Sequence, residues 1–278
     1  MFFVFVAFVV NQMNKEGNCM EEIEEIEEIE EIEIAIRLSR SRGVGAASFK
    51  RLIDDYKLPS IASRIWLKEQ AVRKLCKVSF TKNCSEDKIK STIEYIRESK
   101  CLARYYGQIG YPDQLKILTE PPPIVYMSSN LKNIPLAAVV GSRKADSAIL
   151  GQAKKITEKL IDEGYGIISG GAVGIDKIAH ETALEKNAYT VAVIANGIDI
   201  VYPEINREMF ETIKEKGLLI TELMVGAKPQ KSFFPTRNRL IAAMADVVVA
   251  FPASDSSGTY ITLNWAKKLG KNFYVNKQ

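Results

Sequence analysis

The chain is poor in the residues that most catalytic chemistry requires. It holds one histidine, His180, in 278 residues, which excludes a metal site built on several imidazoles. Its four cysteines, Cys19, Cys76, Cys84 and Cys101, stand at irregular spacing with no C-x-x-C pair. They outline neither a zinc site nor a disulfide framework, which fits a reducing cytoplasm. No G-x-x-x-x-G-K-[ST] run occurs, so nucleotide hydrolysis on a P-loop is excluded as well. Long apolar runs are also missing. MFFVFVAFVV at residues 1–10 is far short of the roughly 20 residues that span a bilayer, and it lacks the basic start and cleavage site of a signal peptide. Neither a cofactor nor a membrane is expected.

Charge is abundant and unevenly placed. The formal net charge is +4, yet residues 21–33, EEIEEIEEIEEIE, hold nine glutamates and no base. Without them 25 acids face 38 bases, so the rest of the chain carries +13. A basic body suits a polyanionic partner, and it suits plain solubility equally well. Isoleucine recurs in the repeat every three residues, a period that winds around a helix and does not hold one face. Residues 1–34 therefore read as a low-complexity extension without a function.

Residues 35–105 read as a small α-helical domain. Within it, 35–58 suggest two short helices about Gly43-Val44-Gly45, the pattern of a helix-hairpin-helix (SAM-like) unit whose turn amides approach a phosphate. A purely structural helical hairpin fits as well. Tyr111-Pro112 and Pro121-Pro122-Pro123 break helices, which makes 106–136 a linker with a short edge strand at 124–126. From 137 to 278 the pattern changes. Apolar runs at 137–141, 166–170, 190–197, 218–222, 246–252 and 272–276 alternate with amphipathic, helix-length stretches. That alternation predicts an α/β fold, a Rossmann-like doubly wound and mostly parallel sheet.

Ligands bind such a sheet beyond the carboxyl ends of its strands, and the unusual residues fall there. Gly141, Ser142, Arg143 and Lys144 follow the first strand. Ser169, Gly170, Gly171, Gly174 and Asp176 follow the second, and Tyr202, Asn206 and Arg207 the third. Phe234, Arg237, Asn238 and Arg239 come after the fourth, and Ser257, Gly258 and Thr259 after the fifth. Glycines let backbone amides approach a ligand, and each helix start is worth roughly 0.3–1 kcal/mol to an anion. The arginines add forked contacts to phosphate oxygens. Several weak anion sites along one edge suit an extended phosphate backbone better than one small ligand. Singly, each residue also has a plainer meaning: a tight turn for the glycines, a helix cap for Asp176, a packed side chain for His180, a solvated helix start for 237–239.

Taken in order, VVGSRKA (139–145), SGGAVGIDKIAHETAL (169–184), TVAVIANGIDIVYPEIN (190–206), LLITE (218–222), FFPTRNRLIAAMAD (233–246) and SSGTYIT (256–262) resemble the motifs of the DNA-processing protein A (DprA/Smf) family. YPDQLKILTEPPPIVYM (111–127) resembles that family's lead-in to the first strand. The resemblance implies a protein that binds and protects incoming single-stranded DNA in natural transformation and helps to load the recombinase RecA. It places a DNA-contacting base at Arg143. Two departures imply weaker binding: Glu204 stands where a second base is common, with Arg207 near enough to substitute, and Val173 stands where a lysine is frequent. The family pattern continues past the last strand into a segment that aids dimerisation, so a homodimer is expected to be weakened here. The competing reading is a nucleotide phosphoribohydrolase, whose signature resembles Pro-Gly-Gly-x-Gly-Thr-x-x-Glu. Its glutamate would fall on Thr262, which has no carboxylate for proton transfer. The chain is therefore expected not to be an enzyme, and a nucleotide sensor using the same anion sites stays open.

Overall fold

The computed structural model describes residues 19–61, 84–99, 101–252 and 258–276, with side chains from residue 28 onward. The expectations for residues 1–18, for the helical stretch 62–83 and for Ser257 lie outside the described residues.

The chain enters through α1 (Cys19–Arg40), which turns at Gly43 into α2 (Ala46–Tyr56) and carries α3 (Glu86–Glu98) against its side. The first helix runs through the acidic repeat and across residue 34 without a break. Its last turns bury Ile32, Ala35, Ile36 and Leu38. The repeat's last glutamates hold partners: Glu28 accepts from Arg104 and Gln108, each at 2.8 Å, while Glu33 and Glu86 grip Arg37 from two sides. Burial of the isoleucines and these ion pairs together fix the end of the repeat.

A strand, β1 (Leu102–Tyr105), follows where the sequence continued in helical style. It pairs antiparallel with β2 (Ile124–Met127), which in turn pairs antiparallel with β6 (Leu218–Thr221). Residues 124–127 therefore form an interior strand and not an edge, because β1 covers their outer side. Between β2 and β6 in sequence come β3 (Leu136–Gly141), α4 (Ser147–Asp162), β4 (Gly166–Ser169), α5 (Ile175–Glu185), β5 (Thr190–Val193) and α6 (Arg207–Lys216). After β6 come α7 (Phe233–Met244), β7 (Val247–Phe251), α8 (Thr259–Lys268) and β8 (Asn272–Val275).

The strand order is β1-β2-β6-β5-β4-β3-β7-β8, and all pairings from β6 to β8 are parallel. Strands β4 to β7 are buried along their whole length, as a sheet covered on both faces requires. Alternate residues of β3 divide the core. Ala137 and Val139 pack with α4 and α5, while Ala138 and Val140 join a larger core shared with α1, α2, α3, α7 and α8. The chain winds outward from β3 through β6 and then returns to β7 on the other side of β3. That reversal opens a crevice beyond the carboxyl ends of β3 and β7. No helix among the described residues is long and apolar enough to cross a membrane.

Candidate functional site

The crevice holds a cavity of about 290 Å³. Gly141 and Ser142 close one side of it, and Phe234, Asn238 and Ile241 another. The last three are four and three residues apart, which puts them on one face of α7. The loop after β3 is held by its backbone. Ser142 donates its N–H to the Phe251 carbonyl at 2.9 Å and accepts from Ile175 N–H at 3.2 Å. Its Oγ accepts from Lys144 N–H at 3.0 Å. Gly174, at φ 82°, lies so close to the Ser142 carbonyl that any Cβ would collide with it. Only glycine lets the loops after β3 and β4 meet. Arg143 and Lys144, thus mounted, project into solvent.

Two loops and the start of α7 build a ridge beside this crevice. The Arg143 guanidinium sits 5.0 Å from the Phe234 ring centroid, and the Tyr202 ring lies 6.0 Å from Phe234 at 57°. Tyr202 is 41% exposed. Arg143 and Phe234 also line a smaller hollow of about 90 Å³ on the Tyr202 side. The ridge therefore offers two aromatic rings and a cation, with a recess on either side.

Beneath it lies a scaffold. Arg237 is only 6% exposed, and its Nη1 donates to the carbonyls of Gly170, at 2.7 Å, and Val193. A Cβ at Gly170 would run into this guanidinium. Burial pulls Arg237 down to about 10, against the favourable charge of Asp176. Asp176 is buried too and accepts from Ala172 N–H at 3.4 Å. Burial pushes its carboxyl up, while Arg237 and the surrounding hydrogen bonds oppose that shift. Ser169 donates to the Val139 carbonyl at 2.7 Å, and Asn206 Nδ2 to the Gly171 carbonyl at 3.0 Å. These side chains hold the strand-end loops in shape.

Other expected site residues have partners of their own. Arg207 forks onto Glu204 at 2.6 and 2.9 Å, and Arg239 is ion-paired to Glu222. Asn238 Nδ2 donates to the Gly258 carbonyl at 3.3 Å, joining α7 to the start of α8, where Thr259 is buried. Arg143 and Phe234 are left lining the crevice, Tyr202 lines the smaller hollow beside it, and Lys144 is exposed to solvent. The pairing of Tyr202 with Phe234 had no signal in their separate sequence contexts.

His180 is fully buried behind this scaffold. Its Nδ1 is 2.7 Å from Thr190 Oγ1, which itself donates to the Ile167 carbonyl at 3.1 Å. The imidazole therefore donates from Nδ1, and Nε2 has no partner among the described residues. Burial, with the Arg237 charge adding to it, pushes His180 down to about 3 from 6.5. The unfolded chain takes up this proton first, so the contribution of His180 to stability is full above 6.5 and falls as pH drops toward 3. At about pH 5 the loss is about 2 kcal/mol, from about 1.4 kcal/mol per unit. Urea unfolding at the two pH values is expected to show it. A His180→Gln variant is expected to lack that part of the pH dependence, and an equal slope in both proteins would contradict the assignment.

A family model for DNA recombination-mediator protein A matches residues 103–278. The Smf protein of Synechocystis is 36% identical over 170 residues, covering 59% of this chain and 43% of that protein. Smf of Borreliella burgdorferi is 36% identical over 183 residues, covering 65% and 58%. The chain spans about half the length of these curated relatives. Among solved structures, DNA processing protein A of Streptococcus pneumoniae superposes with a TM-score of 0.60 at 29% identity, over 69% of this chain and 71% of that one. The Helicobacter pylori protein, solved for its single-stranded DNA binding mode, gives 0.58 at 29% identity, over 64% and 80%. The matched residues include the crevice, the ridge and the scaffold beneath them, and the chain belongs to the DNA recombination-mediator protein A family.

Proposed function

We propose that this chain binds single-stranded DNA along the strand-end crevice, with phosphates held by Arg143 and Lys144 and bases stacked on Phe234 and Tyr202. The ridge of Arg143, Phe234 and Tyr202 is the observation that carries the reading. Rings open to solvent on part of their surface accept any base face, and a cation beside them tracks the backbone. A relative at 29% identity described by its single-stranded DNA binding mode supports the same reading.

The role is one of binding and not catalysis. Asp176, the carboxylate in the crevice lining, is buried and engaged by the scaffold, and His180 is buried behind it. Thr262, at the position of the phosphoribohydrolase glutamate, is buried in the cavity wall. Protection of incoming DNA in the cytoplasm and delivery to RecA belong to the proposal through the family resemblance. So does a homodimer, for which the edge strand β8 offers Phe273 and Tyr274, 41% and 66% exposed.

A competition titration tests the DNA reading. The protein is expected to prefer a single strand to a duplex of equal length by about tenfold or more, because paired bases hide the faces that stack. Equal or tighter binding to duplex would overturn it.

A further inference from the structure

A second cavity, of about 500 Å³, lies between the helical module and the sheet. It is bounded by the other face of α7, where Phe233 and Thr236 stand, by the start of α2, and by Arg40 and Glu222. Its size falls within the roughly 300–1,000 Å³ of small-ligand pockets.

The cavity gathers more positive charge than it neutralises. Glu222 is its carboxylate, already ion-paired to Arg239. Arg237 and Arg40 line it as well. Arg40 Nε is fully buried and has no hydrogen-bond partner among the described residues. Unpaired buried guanidinium nitrogens are costly, and an acceptor is the natural remedy. The helix start adds a second source of donors. Gly45 caps α2 without a side-chain acceptor, and no acid stands in the first turn. The first helical bond runs from Phe49 N–H to the Gly45 carbonyl, so the N–H groups of Ala46, Ala47 and Ser48 precede it and stay free within the helix. Val44, Ile124, Ile194, Leu223 and Phe233 supply the apolar part of its lining.

A compact anion joined to a flat apolar body fits this mixed lining. We infer that the cavity is a second site, separate from the strand-end crevice, that takes a nucleotide. Its phosphate rests on Arg40 and the first turn of α2, and its base lies against Phe233 and Ile194. The nucleotide is either a free mononucleotide or the terminal residue of a 5′-phosphorylated strand, since both present the same phosphomonoester.

Calorimetric titration of the full chain with AMP, and with adenosine as the control, tests the site. AMP is expected to bind about tenfold or more tighter than adenosine, because the phosphate supplies the charge-assisted contacts. Gly45→Asp is the informative variant. A Cβ at Gly45 meets nothing within 4 Å, and the backbone there is extended at φ −90°. Aspartate would occupy the free N–H groups itself and place a negative charge where the phosphate lies. The melting temperature is expected to hold or rise while AMP affinity falls about tenfold or more. Arg143→Ala is expected to keep AMP affinity and to lose DNA affinity, which separates this site from the DNA reading. A gain in oligonucleotide affinity from a 5′-phosphate, abolished by Gly45→Asp, identifies a strand end as the ligand. AMP binding with no such gain identifies a free nucleotide. Absence of AMP binding at about 5 mM, weaker than roughly 3 kcal/mol of affinity, would overturn the inference. So would AMP binding untouched by Gly45→Asp or removed by Arg143→Ala.

Discussion

Arg237→Ala is expected to destabilise the fold by about 3–5 kcal/mol, as loss of one partner from a buried charged network does. The reason lies in what the guanidinium holds. It donates to the carbonyls of Gly170 and Val193, at the ends of β4 and β5, and its charge accompanies the buried Asp176. Alanine leaves two buried carbonyls unpaired, each costing about 1–3 kcal/mol, beside a carboxylate with no counter-charge. Urea unfolding followed by circular dichroism reads the change. A variant within about 1 kcal/mol of the parent that has nonetheless lost DNA affinity would show that Arg237 serves the ligand and not the scaffold.

On the ridge the expected effects reverse. Phe234→Ala is expected to leave stability nearly unchanged, because the ring is half-exposed at the start of α7. Its effect falls on binding, where loss of one stacked base is worth about 1–3 kcal/mol. Arg143→Ala removes a charge-assisted phosphate contact of about 1.5–3 kcal/mol. The two side chains touch, with the guanidinium 5.0 Å from the ring centroid. The double variant is therefore expected to lose less than the sum of the single losses. Fluorescence anisotropy with a labelled oligothymidine measures all three proteins. Additive losses would mean that the ridge does not act as a unit.

The parallel strands were legible because burial on both faces writes them as continuous apolar runs. Leu102–Tyr105 was not, because four residues with Arg104 among them look like the end of a charged helix. The end of the acidic repeat was misjudged for a related reason. Its period argued against one helical face, but only the last two turns needed one, and Ile32, Ala35 and Ile36 supply it. The strand-end positions of the candidate residues were legible, and the direction of each side chain was not. Arg237 and Arg239 both read as phosphate contacts, although residues two apart on a helix face away from each other. The structure follows that rule, with Arg237 under Gly170 and Arg239 on Glu222. The same spacing explains why Phe234, Asn238 and Ile241 share the crevice.

The salt dependence of single-strand binding tests the central assignment most directly, measured for the parent and for Arg143→Ala side by side. Each phosphate neutralised contributes a log–log slope of about −0.7 on single strands. If Arg143 holds a phosphate at the crevice, its alanine variant shows a shallower slope by about that amount, together with weaker binding at every salt concentration. Two parallel lines with equal affinity would contradict it, and would place the DNA somewhere other than the carboxyl ends of β3 and β7.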